Sequence, residues 1–374
     1  MDITQRQWTP ANGWTVVPAG SDAAQLVLVF GGTAQLDVDR YNELRTVYPE
    51  ALVVGCSTAG EIAGTSVSDD TLVVTAVRFA HSQVRLASAR VEASGDDRRI
   101  GSTLAAQLLG PGLVHVLVLS DGLHVNGTEL AAGLEGGLPP GVAVTGGLSG
   151  DGARFTRTLV VADAPPAERV VAAIGFYGER LRVGYGSLGG WDPFGPDRLI
   201  TRSVGNVLYE LDGQPALQLY KRYLGEHAAG LPASGLLFPL ALRGADATDT
   251  GLVRTILAVD EADGSMTFAG DVPQGTHARL MKANFDRLIE GAAGAAQASR
   301  LTAGAGLAVL ISCVGRKLVL GQRIEEEIEG VRRVLGDAVA LTGFYSYGEI
   351  SPYAPTARCE LHNQTMTITS FAED

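Results

Sequence analysis

Three short segments of this chain repeat one pattern, in which an apolar run breaks into glycines and ends in an acidic residue. The apolar run predicts a buried strand, and the glycines permit a turn directly before the acid. Each copy also carries a hydroxyl one to three residues before its last glycine. The copies are Val53–Ile62 (VVGCSTAGEI), Val144–Asp151 (VTGGLSGD) and Leu341–Ile350 (LTGFYSYGEI).

The repeated turn has two interpretations. A single copy is explained by chain reversal alone, because glycine permits tight turns at no steric cost. Three copies favour a shared crevice, since turns at strand ends can bring backbone N–H groups, hydroxyls and carboxylates together. The polar candidates for such a crevice are Ser57, Thr58, Glu61, Asp151, Ser346 and Glu349.

A unit of strand, turn, helix, strand, turn and strand occurs three times, beginning near residues 26, 114 and 307. In the last unit a helix is predicted over 318–335, with an apolar face and the glutamates of 325–327 largely off it. Units that alternate strands and helices build layered sheets. The sequence therefore predicts an α/β fold of mixed β-sheets flanked by helices. A proline-punctuated loop at 190–196 suggests two domains, 1–200 and 201–374.

The composition limits the partners of the chain. Its net charge is −12 and its pI is near 5.0, with scattered Lys and Arg, which disfavours binding to a phosphate backbone. With histidine counted as charged, the longest uncharged runs, 228–242 and 301–315 among them, reach 15 residues and are too short to span a bilayer. The first ten residues lack the apolar segment of a signal peptide, and three cysteines without a CxxC pair fit a reducing compartment. We expect a cytoplasmic protein that binds neither nucleic acid nor membrane.

Two motifs resemble known site patterns without the required context. Residues 184–189 satisfy GxGxxG after a strand, but the following GWDP cannot form the helix N-terminus that holds a dinucleotide. Residues 55–60 (GCSTAG) lack the GxSxG spacing of a nucleophile elbow. Cys56 stays a candidate nucleophile if the fold brings a base close to it. The alternative is a small buried hydrophobic residue.

The six histidines show no HxxxH or HExxH spacing, so the sequence predicts no zinc site. A single axial histidine for haem needs no local motif. By that criterion His124 is best placed, because it follows Ser120-Asp121-Gly122 at the predicted end of a strand. The alternative role for His124 is to cap a turn.

Three aromatic residues, Trp191, Tyr345 and Tyr347, stand in glycine-rich loops, where packing alone rarely demands them. Aromatic walls with a few polar groups are typical of a small-molecule pocket. A hydrophobic lid over the edge of a sheet is the alternative. The sequence leaves both open.

Four motifs in order resemble the FIST family, named for F-box and intracellular signal transduction proteins. They are GCSTAGEI (55–62), TGGLSGD (145–151), GNVLYELDG (205–213) and GFYSYGEI (343–350). The resemblance covers residues from about 25 to 371, as an N-terminal and a C-terminal FIST domain. Four motifs in order are far more specific than any single glycine turn.

The resemblance implies a sensory module for small ligands such as amino acids, and no settled catalytic residues come with it. A bacterial subset is similar to haem proteins that sense nitric oxide and regulate histidine kinases and cyclic-di-GMP enzymes. Many members carry a histidine in the loop that here reads SLGGW (187–191), and this chain has none there. No kinase, cyclase or F-box segment is fused, so the signal is expected to pass to a separate protein, such as a histidine kinase or a cyclic-di-GMP enzyme.

We therefore expect a sensor for an amino acid or a similar polar metabolite, and not an enzyme. A haem-based nitric oxide sensor and an enzyme with Cys56 as nucleophile are the alternatives. The acids would hold the ammonium of the ligand, and hydroxyls and turn N–H groups would meet its carboxylate. The predicted ligand-binding residues are Cys56, Ser57, Thr58, Glu61, Asp151, Trp191, Tyr345, Ser346, Tyr347 and Glu349. No catalytic or metal-binding residue is predicted.

Overall fold

The computed structural model describes residues 1–15, 23–92, 95–244, 249–302, 306–352 and 358–374. The strands are β1 Asp2–Thr9, β2 Gly13–Trp14, β3 Leu26–Gly31, β4 Leu52–Ser57, β5 Glu61–Ala63, β6 Ser66–Ser68, β7 Leu72–Arg78, β8 Gln83–Arg90, β9 Leu113–Ser120, β10 Ala143–Leu148, β11 Val160–Ala162, β12 Val170–Tyr177, β13 Leu181–Leu188, β14 Asp192–Pro193, β15 Arg198–Val204, β16 Val207–Leu211, β17 Gln214–Pro215, β18 Leu240–Arg243, β19 Asp249–Arg254, β20 Ile256–Asp260, β21 Ser265–Phe268, β22 His277–Lys282, β23 Leu307–Cys313, β24 Ala340–Ser346, β25 Gly348–Pro352, β26 Cys359–His362 and β27 Met366–Glu373. The α-helices are α1 Val38–Val47, α2 Asp97–Leu108, α3 Gly127–Gly137, α4 Ala216–Leu224, α5 Phe285–Ser299, α6 Val314–Leu320 and α7 Ile324–Leu335. Short 3-10 helices cover Gly225–Gly230, Ala233–Leu237 and Gly321–Arg323.

Three modules of the same design form most of the molecule. In each module helices connect two parallel strands, which are β3 and β4, β9 and β10, and β23 and β24. The first strand of each pair is flanked by an antiparallel strand, β7, β12 or β27, and an outer strand, β1, β8 or β13, follows beyond it. This confirms the predicted mixed α/β fold with repeated units.

The modules exchange one strand each. After its second parallel strand the chain leaves its own sheet and pairs antiparallel with the second parallel strand of another module. Thus β5 of the first module pairs with β24, β11 of the second pairs with β4, and β25 of the third pairs with β10. The exchange closes in a cycle, so each sheet is completed by another module.

The first glycine of each sequence repeat is explained by the spacing within the parallel pair. Gly55, Gly146 and Gly343 occupy the fourth position of β4, β10 and β24. A β-carbon built at any of them would lie 1.7–1.9 Å from a carbonyl oxygen of the neighbouring parallel strand. Only glycine permits so close an approach of two backbones. The glycine is therefore a packing requirement of the strand before the turn.

The core lies where the three sheets face one another. All six residues of β3 are buried, which explains a continuous apolar run instead of an alternating one. Aromatic pairs join distant modules: the ring centroids of Phe30 and Phe344 are 4.8 Å apart, and those of Phe176 and Phe371 are 4.7 Å apart. The outer faces are covered by helices, with α2 packed on α3 and α5 packed on α7.

A separate unit follows β13 and precedes α5 in the sequence. It consists of β14 to β22 and α4, and its nine strands form a sheet of their own. Its core includes Ile200, Leu217, Tyr220 and Phe268. The predicted domain boundary at residue 200 falls within β15, and the division at that residue stays a prediction. No α-helix among the described segments is both long and apolar enough to cross a bilayer.

The helix predicted over 318–335 is present, but it is not continuous. It consists of α6, the 3-10 turn Gly321–Arg323 and α7. Gly321 has a φ of +53°, a backbone conformation that glycine adopts without strain. The chain changes direction there. The prediction also placed Glu327 largely off the packed face, which is wrong, because Glu327 is fully buried.

Candidate functional site

The three acidic turns meet in the interior of the molecule. We call residues 57–61, 148–152 and 345–349 the turn cluster. The first and third turns are joined by two backbone hydrogen bonds of 2.8 Å, from Ala59 N–H to the Tyr345 carbonyl and from Tyr345 N–H to the Gly60 carbonyl. The second turn donates to the first through Gly150 N–H, at 2.9 Å, and accepts from the third through Tyr347 N–H, at 3.1 Å. Every turn therefore contacts the other two.

Glu61 is the last residue of the first turn. Its carboxyl is buried, and the described groups that donate hydrogen bonds to it are all neutral. Thr58 donates from its hydroxyl to one oxygen. Thr71 donates to the other oxygen from its backbone N–H, at 3.0 Å, and from its hydroxyl, at 2.8 Å. Burial raises the pKa of Glu61 to about 7, and the hydrogen bonds only partly offset this.

Glu349 repeats this arrangement in the third turn. Ser346, three residues earlier as Thr58 is in the first turn, donates its hydroxyl to one carboxyl oxygen. Thr365 donates its backbone N–H, at 3.1 Å, and its hydroxyl, at 2.9 Å, to the other oxygen. Burial raises the pKa of Glu349 to about 8. The two copies thus build the same kind of site: a buried acid between a hydroxyl of its own turn and a threonine.

Asp151 differs from the other two acids. No hydroxyl precedes it by three residues, since Leu148 stands there. Its oxygens accept instead from the backbone N–H groups of residues 155–157, at 2.8–2.9 Å, and from the hydroxyls of Thr156 and Tyr347. Burial acts to raise the pKa of Asp151, but these donors outweigh it and hold the pKa below its ordinary value. Asp151 is a stable carboxylate that closes its own loop.

Lys317 lies over the first turn. Its ammonium donates to the Ala59 carbonyl at 2.8 Å, forms an ion pair with Asp69, and lies 5.6 Å from the centre of the Tyr345 ring. A β-carbon at Gly60 would lie 2.4 Å from this ammonium. Since the Asp69 side chain is 66% exposed, the ion pair forms the outer boundary of the turn cluster.

The structure brings two of the three predicted aromatic residues into the turn cluster. Tyr345 is buried and donates its hydroxyl to Glu327 at 3.0 Å. Tyr347 stacks on Phe155 with ring centroids 4.3 Å apart. Trp191 lies in a separate apolar cluster and donates its indole N–H to the Gln364 carbonyl. Its loop thus packs against the interior.

Cys56 and Ser57 are the last two residues of β4, and Ser57 begins the first turn. The hydroxyl of Ser57 accepts from the Leu159 N–H at 2.8 Å. Cys56 is fully buried, and burial raises the pKa of its thiol well above the ordinary value. Such an environment disfavours the thiolate that a nucleophile requires.

The burial of the cysteines leads to a labelling prediction. Cys56, Cys313 and Cys359 are all buried, and burial raises each thiol pKa. At neutral pH a disulfide reagent is expected to label none of them in the native protein on the timescale on which it labels a free thiol of pKa about 8.5. All three are expected to react after unfolding in guanidinium. Rapid native labelling of Cys56 alone would support the catalytic alternative.

His124 caps its own loop. Its Nδ1 lies 3.1 and 3.2 Å from the two carboxylate oxygens of buried Asp121. The same carboxylate accepts from the backbone N–H groups of Leu123, His124 and Arg169. These contacts give His124 the turn-capping role. No group of three or more metal-binding side chains is placed to hold an ion within the described residues.

The GxGxxG segment is part of β13 and packs on a helix. A β-carbon at Gly184 or Gly186 would lie 2.3 or 2.4 Å from the carbonyl oxygens of Ser299 and Ala295 in α5. These glycines therefore allow close contact between a strand and a helix.

Sequence reasoning missed a buried ion pair beside the turn cluster. The side chains of Arg316 and Glu327 are 0% exposed, and Nη2 lies 2.6 Å from Oε2. Glu327 also accepts from the hydroxyls of Ser312 and Tyr345. The remaining guanidinium hydrogens go to backbone carbonyls, those of Gly189, Leu288 and Gln364. One signal was available: Glu327 stands three residues after Ile324, on the same face of the helix.

Cavities of about 350 and 550 Å³ open elsewhere on the described surface, and no residue of the turn cluster lines either of them. In this conformation the turn cluster is closed. The carboxyls of Glu61 and Glu349 are buried, and the ion pair of Lys317 and Asp69 lies on the exposed side of the first turn.

Two family models match the chain. The FIST N domain matches residues 25–214, and the FIST C domain matches residues 216–352. A search of curated proteins found no match. The first two turns of the turn cluster fall in the N-domain match and the third in the C-domain match, so both domains contribute to the cluster.

Proposed function

Because this chain belongs to the FIST family, whose domains are sensory modules of signal transduction, we propose that it binds a small polar metabolite and signals through a separate protein. The ligand class that we propose is an amino acid or a related molecule with an ammonium group. The turn cluster is the proposed site. Glu61 and Glu349 are its proposed anchors.

The observation that carries this proposal is a pair of buried carboxyls that accept no hydrogen bond from a cation among the described residues, although the charge of Arg316 acts on Glu349 from farther away and lowers its pKa in part. Every donor that the structure assigns to Glu61 and Glu349 is neutral. A buried carboxylate without a counter-ion is unfavourable, so both groups have a raised pKa. The ammonium of a ligand would supply the missing positive charge and favour the ionised form.

The connectivity suggests how binding would produce a signal. Each turn joins two sheets, because the chain crosses from one module to another directly after it. A ligand that enters between the turns would shift one sheet against the next, and entry beside the first turn would separate Lys317 from Asp69. Binding would therefore favour a second arrangement of the modules, which a partner could recognise.

A thermal-shift screen over amino acids and related amines tests the proposal. A ligand at 100 times its Kd should add about 2.7 kcal/mol to the stability of the protein. Replacing the glutamate that holds the ammonium of the ligand, in Glu61→Gln or Glu349→Gln, should weaken binding roughly 10- to 150-fold, because a charge-assisted contact is worth about 1.5–3 kcal/mol. The exposed Glu329→Gln variant is the control and should bind as wild type.

Calorimetry gives a second, independent test. Binding an ammonium should lower the raised pKa of its anchor, so near pH 7 the complex should release a proton. The measured heat should then depend on the ionisation enthalpy of the buffer. If both Gln variants keep the wild-type thermal shift, the turn cluster is not the site.

A further inference from the structure

The first module differs from the other two in one respect. In the second module α2 lies between the outer strand β8 and the first parallel strand β9, and it packs on α3. In the third module α5 precedes β23 and packs on α7. The corresponding connection in the first module contains β2, and no helix occurs in its described part. Among the described residues, helix α1 therefore has no packed neighbouring helix of the kind that α3 and α7 have.

A cavity of about 330 Å³ lies at that place, between α1 and the hairpin of β1 and β2. Side chains of β1 alternate between the two faces of the sheet. Gln5 and Gln7 face the interior, where they donate to Thr75 and Ser68, so Arg6 faces α1. The cavity is lined by Arg6, Trp14, Glu43, Leu44, Thr46 and Val47.

The cavity has one available positive charge. The Arg6 guanidinium lies 5.7 Å from the Trp14 ring centre and 5.9 Å from that of Tyr48. Its Nε is buried without an acceptor, and within the described chain no carboxylate forms an ion pair with it. The nearby carboxylate of Glu43 instead accepts from the Trp14 indole and from Arg40.

The lining determines the class of ligand. An arginine beside an apolar, aromatic wall matches a carboxylate with an apolar body, because the guanidinium binds carboxylates through paired N–H donors. The carboxylate of Glu43 already binds the Trp14 indole N–H and the Arg40 guanidinium, so it offers no site for an ammonium. We propose that this cavity binds a small monocarboxylate, with its carboxylate on Arg6 and its apolar body against Trp14, Leu44 and Val47. The site does not depend on the function proposed for the turn cluster.

Tryptophan fluorescence of the full-length protein, titrated with phenylacetate, tests this site. Phenylacetate is expected to change the emission saturably, because Trp14 lines the cavity. Phenylacetamide, which has the same body without the charge, should bind at least about tenfold more weakly. Arg6→Gln should weaken the binding of phenylacetate at least about tenfold and leave the affinity for phenylacetamide unchanged. The control Arg78→Gln, at an exposed arginine paired with Asp2, should bind as wild type.

A second variant protects the test against misfolding of Arg6→Gln. Thr46 is exposed at the rim of the cavity, so Thr46→Trp should fill the opening without disturbing the sheet and remove phenylacetate binding. Equal affinity for the acid and the amide, no saturable change, or wild-type binding by Thr46→Trp would each overturn the proposal. Competition by amino acids that bind the turn cluster is not expected, which separates the two sites.

Discussion

Replacing Glu327 by Gln is expected to lower the free energy of unfolding by about 3–5 kcal/mol, because it removes one partner of a fully buried ion pair. Arg316 would keep its carbonyl acceptors but lose its only anionic partner in the described chain. Arg316→Met is expected to have an effect of similar size, since it leaves the Glu327 carboxylate buried without a cation. Urea denaturation at pH 7 measures both.

The same helix provides a matched control. Glu326 is the preceding residue of α7, but its side chain is 45% exposed and pairs with the exposed Arg323. Surface pairs contribute at most about 1 kcal/mol, so Glu326→Gln should change stability by less than that. The double variant Arg316→Met, Glu327→Met should be less destabilised than the sum of the single effects, because no unpaired charge remains. If Glu327→Gln unfolds at the urea concentration of Glu326→Gln, the buried pair does not stabilise the fold.

The sequence predicted the features that depend on local pattern. The continuous apolar runs of β3, β9 and β23 indicated buried strands. The alternation of such strands with helices was sufficient for the fold class. The repeated glycine also indicated a shared structural requirement, although its cause, close approach to a parallel strand, is visible only in three dimensions.

The remaining features depend on contacts between distant residues. The exchange of β5, β11 and β25 among sheets joins residues as far apart as Glu61 and Phe344, and no local pattern specifies it. The same limit applies to the acids of the turn cluster. Glu61 and Asp151 look alike in sequence, yet one carboxyl meets two threonines and the other meets three backbone N–H groups. Their pKa values therefore shift in opposite directions.

Because the pKa values of Glu61 and Glu349 are raised in the fold, the stability of the protein should depend on pH. At pH 4 and below, Glu349 is protonated in both the folded and the unfolded chain and has no effect. As pH rises above the ordinary value of 4.5, the unfolded chain releases this proton and the folded chain keeps it until about pH 8. Stability therefore falls between these values and levels off above them. Since a tenfold change in a proton-binding constant corresponds to about 1.4 kcal/mol, the total loss from Glu349 is on the order of 5 kcal/mol.

The Glu349→Gln variant isolates this effect from every other titrating group. Its amide oxygen can accept from Thr365 as the carboxyl does, its amide nitrogen can donate to the Ser346 oxygen once that hydroxyl turns to another acceptor, and the side chain cannot ionise. The unfolding free energy of Glu349→Gln minus that of the wild type should therefore increase from pH 5 to 8 and then remain constant. For Glu61→Gln the increase should end near pH 7. Asp151→Asn is the control: its pKa is lowered, so this acid is ionised in both states above pH 5 and the difference should not change with pH. A flat curve for Glu349→Gln would mean that Glu349 is ionised in the fold, and the charge of Arg316, which acts to lower its pKa, would then outweigh the effect of burial.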